Sequence, residues 1–190
     1  VLVVIGTMWR GLVWTRLPVL AAYAVIFNKM IGGVTGIYLS DVPADQYFHG
    51  SVFVVAHFHY MLMGAALFAA MAGLAFYFPK MTGRVLDERT ASIGFWTAFV
   101  GFQVTFMAMF VAGLQGMPRR VLQFDSLFNA PNQIATVGAY IIGIGMLIFA
   151  GAVVYSWSSG DRAPANPFGS KSLEWQTPTP VPLENFAVLP

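Results

Sequence analysis

The sequence predicts an all-α membrane protein with four transmembrane helices and an extended, proline-rich tail. Of its 190 residues, 57% are hydrophobic and only 9% are charged. Charged residues make up about a quarter of an ordinary soluble domain, so this composition excludes that class. Four apolar runs each reach the roughly 20 residues that a helix needs to cross the hydrocarbon layer of a bilayer.

The four predicted spans cover about residues 17–39, 51–78, 91–117 and 132–157. The segments between them contain most of the charged and turn residues, as is typical of loops at a membrane surface. After Ser158 the chain contains six of its eleven prolines, which disfavours a long helix. We therefore divide the chain into a membrane region, 1–158, and an extended tail, 159–190.

The basic residues predict the orientation of the helices. Alternating spans place seven of the ten Lys and Arg residues on one side, which the positive-inside rule makes cytoplasmic, together with the tail. These seven are Arg10, Arg16, Lys80, Arg84, Arg89, Arg162 and Lys171. Arg119 and Arg120 fall on the opposite side, so we expect this adjacent pair to have an anionic partner.

Composition also limits the chemistry. Cysteine is absent, which excludes disulfides, thiolate nucleophiles and cysteine-ligated metals. The formal net charge of +2 is too small to favour nucleic acid as a partner. The chain begins at Val1 without the basic segment or cleavage site of a signal peptide, and we expect it to be a fragment of a longer protein.

Two histidines lie inside the second predicted span, in the stretch VVAHFHY. Ionisable groups at membrane depth are costly and usually belong to a functional site. Residues two apart in a helix point about 200° apart, so His57 and His59 cannot bind one ion together. A shared zinc or di-iron site needs residues three or four apart. The spacing permits either one ligand to each of two haems, with Phe58 between them, or two histidines that only bond neighbouring helices.

The arginine pair favours the haem hypothesis. Haem carries two propionates, and a guanidinium makes paired, charge-assisted hydrogen bonds with a carboxylate. Arg119 and Arg120 follow the third span, at the same membrane face as Asp45 and His49, which precede the second. The histidines of the second span lie some 12–15 Å along the helix from that face. The alternative is a solvated interfacial pair, but ligands and propionate anchors here fall at the correct ends of one cofactor.

Four motifs together resemble the C-terminal third of subunit I of the haem–copper terminal oxidases, in its bacterial cytochrome c oxidase form. The motifs are HGSVFVVAHFHY at 49–60, FPKMTGRVLDE at 78–88, GLQGMPRR at 113–120 and LEWQTPTPVPLENF at 173–186. The resemblance covers nearly the whole chain, in order. It implies that the four helices belong to a twelve-helix type of subunit.

The resemblance implies roles for the site residues. His57 matches the proximal ligand of the high-spin haem at which oxygen is reduced, and His59 matches a ligand of the low-spin haem that delivers electrons. Phe58 matches the residue that separates the two rings. Arg119 and Arg120 match residues that bind propionates.

Asp45 and His49 match a polar cluster above the haems, and the position of His49 is that of a ligand to a non-redox magnesium. The family usually has Asp directly after this histidine, whereas this chain has Gly50. Magnesium prefers carboxylates and water, and Gly50 offers no carboxylate. We therefore expect the magnesium site to be empty or to use ligands outside this chain.

The implied function is that of a respiratory terminal oxidase. Its catalytic subunit reduces O₂ to water with electrons from cytochrome c and pumps protons, and this fragment alone is expected to be inactive. The implied cofactors are two haems, of the haem A type, and a copper whose ligands lie outside this chain. The implied partners are oxidase subunits II and III, cytochrome c, O₂ and the lipid bilayer, and not nucleic acid. The implied location is the plasma (inner) membrane of a bacterium.

Two other functions remain open at the level of the sequence. A quinol oxidase has the same haem-binding subunit, and a second subunit with or without a dinuclear copper site distinguishes the two oxidases. From a different class, a proton-coupled transporter could use His57, His59 and Lys29 as a relay without a cofactor. Lys29 lies deep in the first span, from which snorkelling to the membrane surface is difficult.

Overall fold

The computed structural model describes residues 2–11 and 15–186. Val1 and residues 12–14 of the predicted membrane region, and the last four residues of the predicted tail, lie outside the described residues. Within the described part, the regular structure is entirely helical. A π-helical turn, His59–Met63, joins two of the seven α-helices, which are α1 (Leu2–Met8), α2 (Leu17–Ser40), α3 (Val42–Phe48), α4 (Val52–Phe58), α5 (Gly64–Thr82), α6 (Glu88–Leu114) and α7 (Asn129–Ser159).

Four continuous helical segments are long and apolar enough to cross a membrane. They are Leu17–Ser40, Val52–Thr82, Glu88–Leu114 and Ser126–Ser159. Each overlaps one of the predicted spans, and the prediction of an all-α membrane fold with four such helices is confirmed. One difference is the loop after the first span, which contains the short helix α3. Pro43 lies in its first turn, where a missing backbone N–H removes no helical hydrogen bond.

A polar cap explains why α6 begins before its apolar run. At the start of α6, the side chain of Asp87 accepts hydrogen bonds from the backbone N of Thr90 (3.4 Å) and from its hydroxyl (2.6 Å). These bonds satisfy a donor that the helix itself leaves free. The hydrogen bond from the Thr90 hydroxyl also holds the pKa of Asp87 below its usual value. The helix therefore begins three residues before the predicted span.

The long helices alternate in direction, so the loops gather at two ends. At the end that we call the arginine end, the loop after α6 pairs with the turn before α4. Val52 donates its backbone N–H to the carbonyl of Met117, and Arg119 donates its own to the carbonyl of Gly50, both at 2.9 Å. The structure thus brings the arginine loop against the start of the second span, as the sequence predicts.

The opposite end, which we call the tail end, joins the start of α2, the loop before α6 and the end of α7. The backbone N–H of Leu17 donates to Glu88 Oε1 at 3.0 Å. Asp87 donates its backbone N–H to the hydroxyl of Ser156 at 2.8 Å, and Val85 donates to the carbonyl of Asp161 at 2.9 Å. That this end faces the cytoplasm stays a prediction.

Helix α6 lies at the centre and packs on both α7 and α4. Its inner face contributes large aromatic rings to the core, and Phe68 of α5 packs against several of them with ring centroids about 5.6 to 5.8 Å apart. On the other face of α6, glycines lie against the backbone of α7. A Cβ atom added at Gly101 would lie 2.6 Å from the backbone nitrogen of Ile142, so only glycine permits this close approach.

The tail, predicted to be extended, packs on the tail end of α5. Its described residues after Ser159 contain no α-helix, only a 3₁₀ turn at Leu173–Trp175. Trp175 is buried and packs on Phe76, with ring centroids 5.1 Å apart. The ammonium of Lys80 is also buried there and donates a hydrogen bond to the carbonyl of Thr177 at 2.6 Å. The tail is therefore attached to α5 by packing and by a hydrogen bond.

Candidate functional site

The two membrane-embedded histidines lie where α4 ends and the π turn begins. His57 occupies the last turn of α4, and His59 is the first residue of the π turn. Ser51 begins α4 by accepting a hydrogen bond from the backbone N of Phe53 at 3.2 Å. The two imidazole rings contact different helices, His57 against α2 and His59 against α6. The structure therefore agrees with the helical geometry, which places the two side chains on separate faces.

His57 is held by Thr35 of α2. The Thr35 hydroxyl lies 3.0 Å from His57 Nδ1, and it also lies 3.0 Å from the carbonyl oxygens of Ile31 and Gly32. When the hydroxyl proton goes to one of these carbonyls, the hydroxyl oxygen can accept the proton of Nδ1–H. The remaining nitrogen, Nε2, then carries a lone pair and can ligate a metal. A Cβ at Gly36 would lie 3.0 Å from His57 Cε1, so this glycine leaves room for the ring.

His59 is held by its own helix and by aromatic rings. Its Nδ1 lies 2.7 Å from the carbonyl oxygen of Val55. A carbonyl can only accept, so Nδ1 carries the proton and Nε2 carries the lone pair. The ring stacks on Phe58 at 4.6 Å between centroids and on Phe106 at 4.4 Å. Its orientation is thus set by packing as well as by the hydrogen bond.

Both imidazoles therefore fit single axial ligation of haem iron. Nδ1 of each can donate a hydrogen bond to its neighbour while Nε2 stays unprotonated, which is the state that a metal-bound histidine requires. Within residues 2–11 and 15–186, no three His, Asp or Glu side chains are grouped closely enough to hold a metal ion. Further ligands to iron at either histidine would have to come from a cofactor or from outside the described residues.

The arginine loop presents two guanidinium groups at the arginine end. Gly116 has φ of 90° and Arg120 has φ of 64°, both in the left-handed region. For a residue other than glycine this conformation is unfavourable by about 1–2 kcal/mol, so the pairing of Arg119 with Gly50 helps to hold the turn. Arg119 is half-buried and Arg120 is exposed. No ion pair to either guanidinium occurs among the described residues, so both are available to an anion.

Asp45 and His49 lie at the same end and contact each other. His49 Nδ1 lies 3.1 Å from Asp45 Oδ2, and the side chains are 75% and 31% exposed respectively. Asp45 therefore orients His49 and leaves Nε2 towards solvent. A Cβ at Gly50 would meet no atom within 4 Å, so a carboxylate could be introduced there without a clash. The expectation about magnesium stays a prediction.

The sequence did not single out Thr35 or Phe106, although both orient a histidine. Gly32 and Gly36, four residues apart on α2, were a usable signal, because small residues at this spacing mark close contact between membrane helices. Lys29 is half-exposed and has no hydrogen bond or ion pair within the part of the chain that the structure describes. No hydrogen bond between Lys29 and either histidine occurs among these residues.

Comparisons with known proteins identify the family of the chain. Residues 1–141 match the family described as cytochrome c and quinol oxidase polypeptide I. The chain is 39% identical to cytochrome c oxidase subunit 1 of Thermostichus vulcanus over 98% of its own length and 34% of that protein, and 42% identical to that of Corynebacterium efficiens over 98% and 33%. It thus spans about a third of the length of these relatives.

A cryo-EM structure of a heme-copper terminal oxidase dimer is similar in fold. The TM-score is 0.70 at 22% sequence identity, and the match covers 80% of this chain and 29% of that one. At this identity the likeness concerns the fold alone. It is consistent with four helices that form part of a larger helical subunit.

Proposed function

Because the chain belongs to the cytochrome c and quinol oxidase polypeptide I family, we propose that it is the haem-binding part of the catalytic subunit of a respiratory terminal oxidase. The intact enzyme reduces O₂ to water and pumps protons across the membrane. His57 ligates the high-spin haem at the oxygen-reducing centre, and His59 ligates the low-spin haem. Both haems are of the haem A type.

The observation that carries this proposal is the state of the two imidazoles. Thr35 and the carbonyl of Val55 each occupy an Nδ1, which leaves both Nε2 atoms free on separate faces of one helix. If the two histidines served only to join helices, we would expect their Nε2 atoms to form hydrogen bonds with neighbouring helices. Here no hydrogen bond to either Nε2 occurs among the described residues.

The roles of the other site residues follow from charge and placement. Arg119 and Arg120 bind the propionates as guanidinium donors, since both lack a partner of opposite charge within the described chain. Phe58 packs on His59 and keeps the space between the two ligands apolar. Asp45 and His49 extend this polar cluster at the arginine end.

The haems, with a copper whose ligands lie outside this chain, supply the electron transfer and the O–O bond cleavage. The described residues contribute axial nitrogens, a low-dielectric surrounding and fixed positive charge. Phe58 and Phe106 stack on the His59 ring and give it an apolar surrounding, while the arginines lie at the polar end. The protein thereby sets the environment in which electrons move.

The direct test is the visible absorption spectrum of the purified full-length enzyme and of variants with a single histidine replaced. His59→Ala should remove the low-spin haem and leave the high-spin haem largely assembled, and His57→Ala should do the reverse. His49→Ala is the matched control, because it removes the third histidine of the chain and should leave both haems. Loss of both haems from each single variant, with the subunit still inserted, would contradict independent ligation.

We propose cytochrome c as the electron donor, because the relatives named above are called cytochrome c oxidase subunit 1. The family also includes quinol oxidases. Oxygen consumption by the purified complex with reduced cytochrome c, compared with a quinol, distinguishes the two donors. Oxidation of quinol alone would assign the chain to the alternative.

The proposed setting is a bacterial plasma membrane, with the tail on the cytoplasmic side and with oxidase subunits II and III as partners. The four apolar helices support a multi-pass membrane protein. A proton-coupled transporter is less well supported, because such a relay would need Lys29 near the histidines. Their rings contact Thr35 and Phe106 instead. Haem bands in the spectrum would exclude that alternative.

A further inference from the structure

Three polar side chains that take no part in the proposed haem ligation meet inside the membrane region. They are Asn28 of α2, Tyr60 of the π turn and Gln103 of α6. Asn28 and Tyr60 are completely buried. Polar groups at this depth are strongly unfavourable unless they are hydrogen-bonded, so their retention calls for a reason.

The three side chains form a directional chain of hydrogen bonds. The hydroxyl of Tyr60 donates to Gln103 Oε1 at 2.7 Å, and Gln103 Nε2 donates to Asn28 Oδ1 at 2.9 Å. Asn28 Nδ2 then donates to the backbone carbonyl of Gly64 at 3.2 Å. Each amide uses its oxygen as acceptor and its nitrogen as donor. Exchanging the oxygen and nitrogen of either amide would place donor against donor or acceptor against acceptor. The orientation of each amide is therefore defined by its neighbours.

This chain of hydrogen bonds begins within the π turn and ends directly after it. Tyr60 is the second residue of the turn, and Gly64 follows the turn directly. A π turn is rarer and less favourable than α-helix and often occurs at functional sites. Gly64 has no side chain, and a Cβ there would lie 3.0 Å from Asn28 Nδ2. The absence of a side chain therefore lets the amide reach the backbone, and the network spans the turn from end to end.

The buried residues around the turn explain why it is needed. Ala56, Tyr60, Gly64 and Phe68 all face the core, each four residues after the last. In an α-helix a step of four residues overshoots one turn by about 40°, so such a stripe would drift out of the core. The wider π turn absorbs this drift. It also sets the direction of His59, which begins the turn.

The network also fixes α6 against His59. Gln103 and Phe106 are three residues apart and therefore lie on the same side of α6. Phe106 stacks on the His59 ring with an angle of 19° between planes. Holding Gln103 on Tyr60 thus holds Phe106 on the neighbouring imidazole.

We propose that Asn28, Gln103 and Tyr60 are positioning residues that hold the π turn and thereby set the ring orientation of His59 on the low-spin haem. This role rests on the proposed function for the haem itself. The stability of the π turn can be measured separately from the haem signals. The network does not touch His57 or Thr35, so its effect is specific to one haem.

The test uses the intact oxidase complex with Gln103→Met, which keeps the length of the side chain and removes both hydrogen bonds. Backbone hydrogen exchange in residues 59–64 should become about tenfold faster. The absorption band and reduction potential of the low-spin haem should shift, and those of the high-spin haem should not. Thr97→Val is the matched control on α6, since it removes only the hydrogen bond to Ile93 at 2.8 Å.

If Gln103→Met does not assemble, the combined variant Asn28→Leu, Tyr60→Phe and Gln103→Leu leaves no polar group unpaired and is measured in the same way. Unchanged exchange and unchanged low-spin signals in an assembled variant would overturn the proposal. Equal shifts of both haems would also overturn it, because they would indicate general loosening. Absence of haem bands from the unmodified enzyme would instead refute the proposed function.

Discussion

At the scale of the residue, the site depends on which nitrogen of each imidazole is occupied. Thr35 is 22 residues before His57 in the sequence, and its hydroxyl lies 3.0 Å from Nδ1, where it can accept the Nδ1 proton. His59 obtains the same result from the carbonyl of Val55, within its own helix. A hydrogen bond donated by the N–H of the non-ligating nitrogen makes a histidine ligand more basic and fixes its ring. The two proposed ligands are therefore oriented by different means.

Thr35→Val should weaken this control of His57. The variant keeps the shape of the side chain and removes the acceptor of Nδ1–H, so the imidazole becomes a poorer donor to iron. We expect the reduction potential of the high-spin haem to rise and its retention to fall about 10- to 100-fold, as is typical when such a partner is lost. Redox titration with haem analysis measures both.

Thr35→Ser is the matched control for this prediction, because it keeps the hydroxyl. It should behave as the unmodified enzyme, and the low-spin haem should be unaffected in both variants. Equal changes in the Val and Ser variants would show that the methyl group rather than the hydroxyl matters.

Arg119 and Arg120 should act through charge and paired hydrogen bonds rather than through bulk. Arg→Gln at either position removes a positive charge beside the proposed propionates, which should lower the potential of a nearby haem by on the order of 1 kcal/mol, or tens of millivolts. Arg→Lys should have a smaller effect that is still measurable, because a point charge lacks the paired donors. Redox titration of both haems is the measurement, and unchanged potentials in both Gln variants would refute the assignment.

At the scale of the element, the most extensive helix contact is that between α6 and α7. Gly94 and Gly101 on α6 face Gly138 and Gly145 on α7, and a Cβ at any of them would meet backbone of the other helix within 3 Å. Membrane helices cannot gain from burying apolar surface away from lipid tails, so close backbone packing is a main source of their association. The position of α6, and hence of Phe106, depends on this contact.

Gly101→Leu should therefore separate α6 from α7. The new side chain has no space between the backbones, and we expect a loss of several kcal/mol, seen as lower yield of assembled enzyme and a lower unfolding temperature in detergent. Gly143→Leu is the control, since a Cβ at Gly143 meets no atom within 4 Å. If both variants were equally stable, close packing at Gly101 would not be what holds the pair together.

At the scale of the whole molecule, a buried lysine of α5 binds the tail to the helices, beside the packing of Trp175 on Phe76. Lys80 Nζ donates to the carbonyl oxygens of Thr177 (2.6 Å), Ala165 (3.2 Å) and Pro178 (3.4 Å), and it lies 5.2 Å from the ring centroid of Trp175. Two parts of the tail, one at Ala165 and one at Thr177 and Pro178, thus converge on one side chain of α5. Hydrogen bonds to a charged group are worth about 1.5–3 kcal/mol, more than neutral ones.

Lys80→Met should release the tail while leaving the helices folded. The variant removes the donor shared by these carbonyls and the cation above Trp175, so residues 163–181 should become accessible to protease at least several-fold faster. Limited proteolysis of the purified complex, with mass spectrometry of the fragments, measures this. Lys171→Met is the control, because Lys171 is an exposed lysine of the same segment. Equal cleavage of the two variants would count against the role of Lys80.

The π turn and the tail mark the limits of prediction from the sequence. Buried residues four apart from Ala56 to Phe68 were a signal for the turn, but burial is known only once the helices are packed. The described residues of the tail form no long helix, as its prolines predict, whereas its attachment to Lys80 joins residues 97 apart. No local pattern contains that pairing.

The sequence by itself determined the membrane class, the four helices and the separate directions of His57 and His59. These depend on composition and on helical periodicity, which act over a few neighbouring residues. The tertiary structure alone decided which atoms hold the imidazoles, how Asn28 and Gln103 reach the π turn, and where the tail lies. Such contacts join residues far apart in the chain, and they form only when packing brings the helices together, so they leave no local pattern in the sequence.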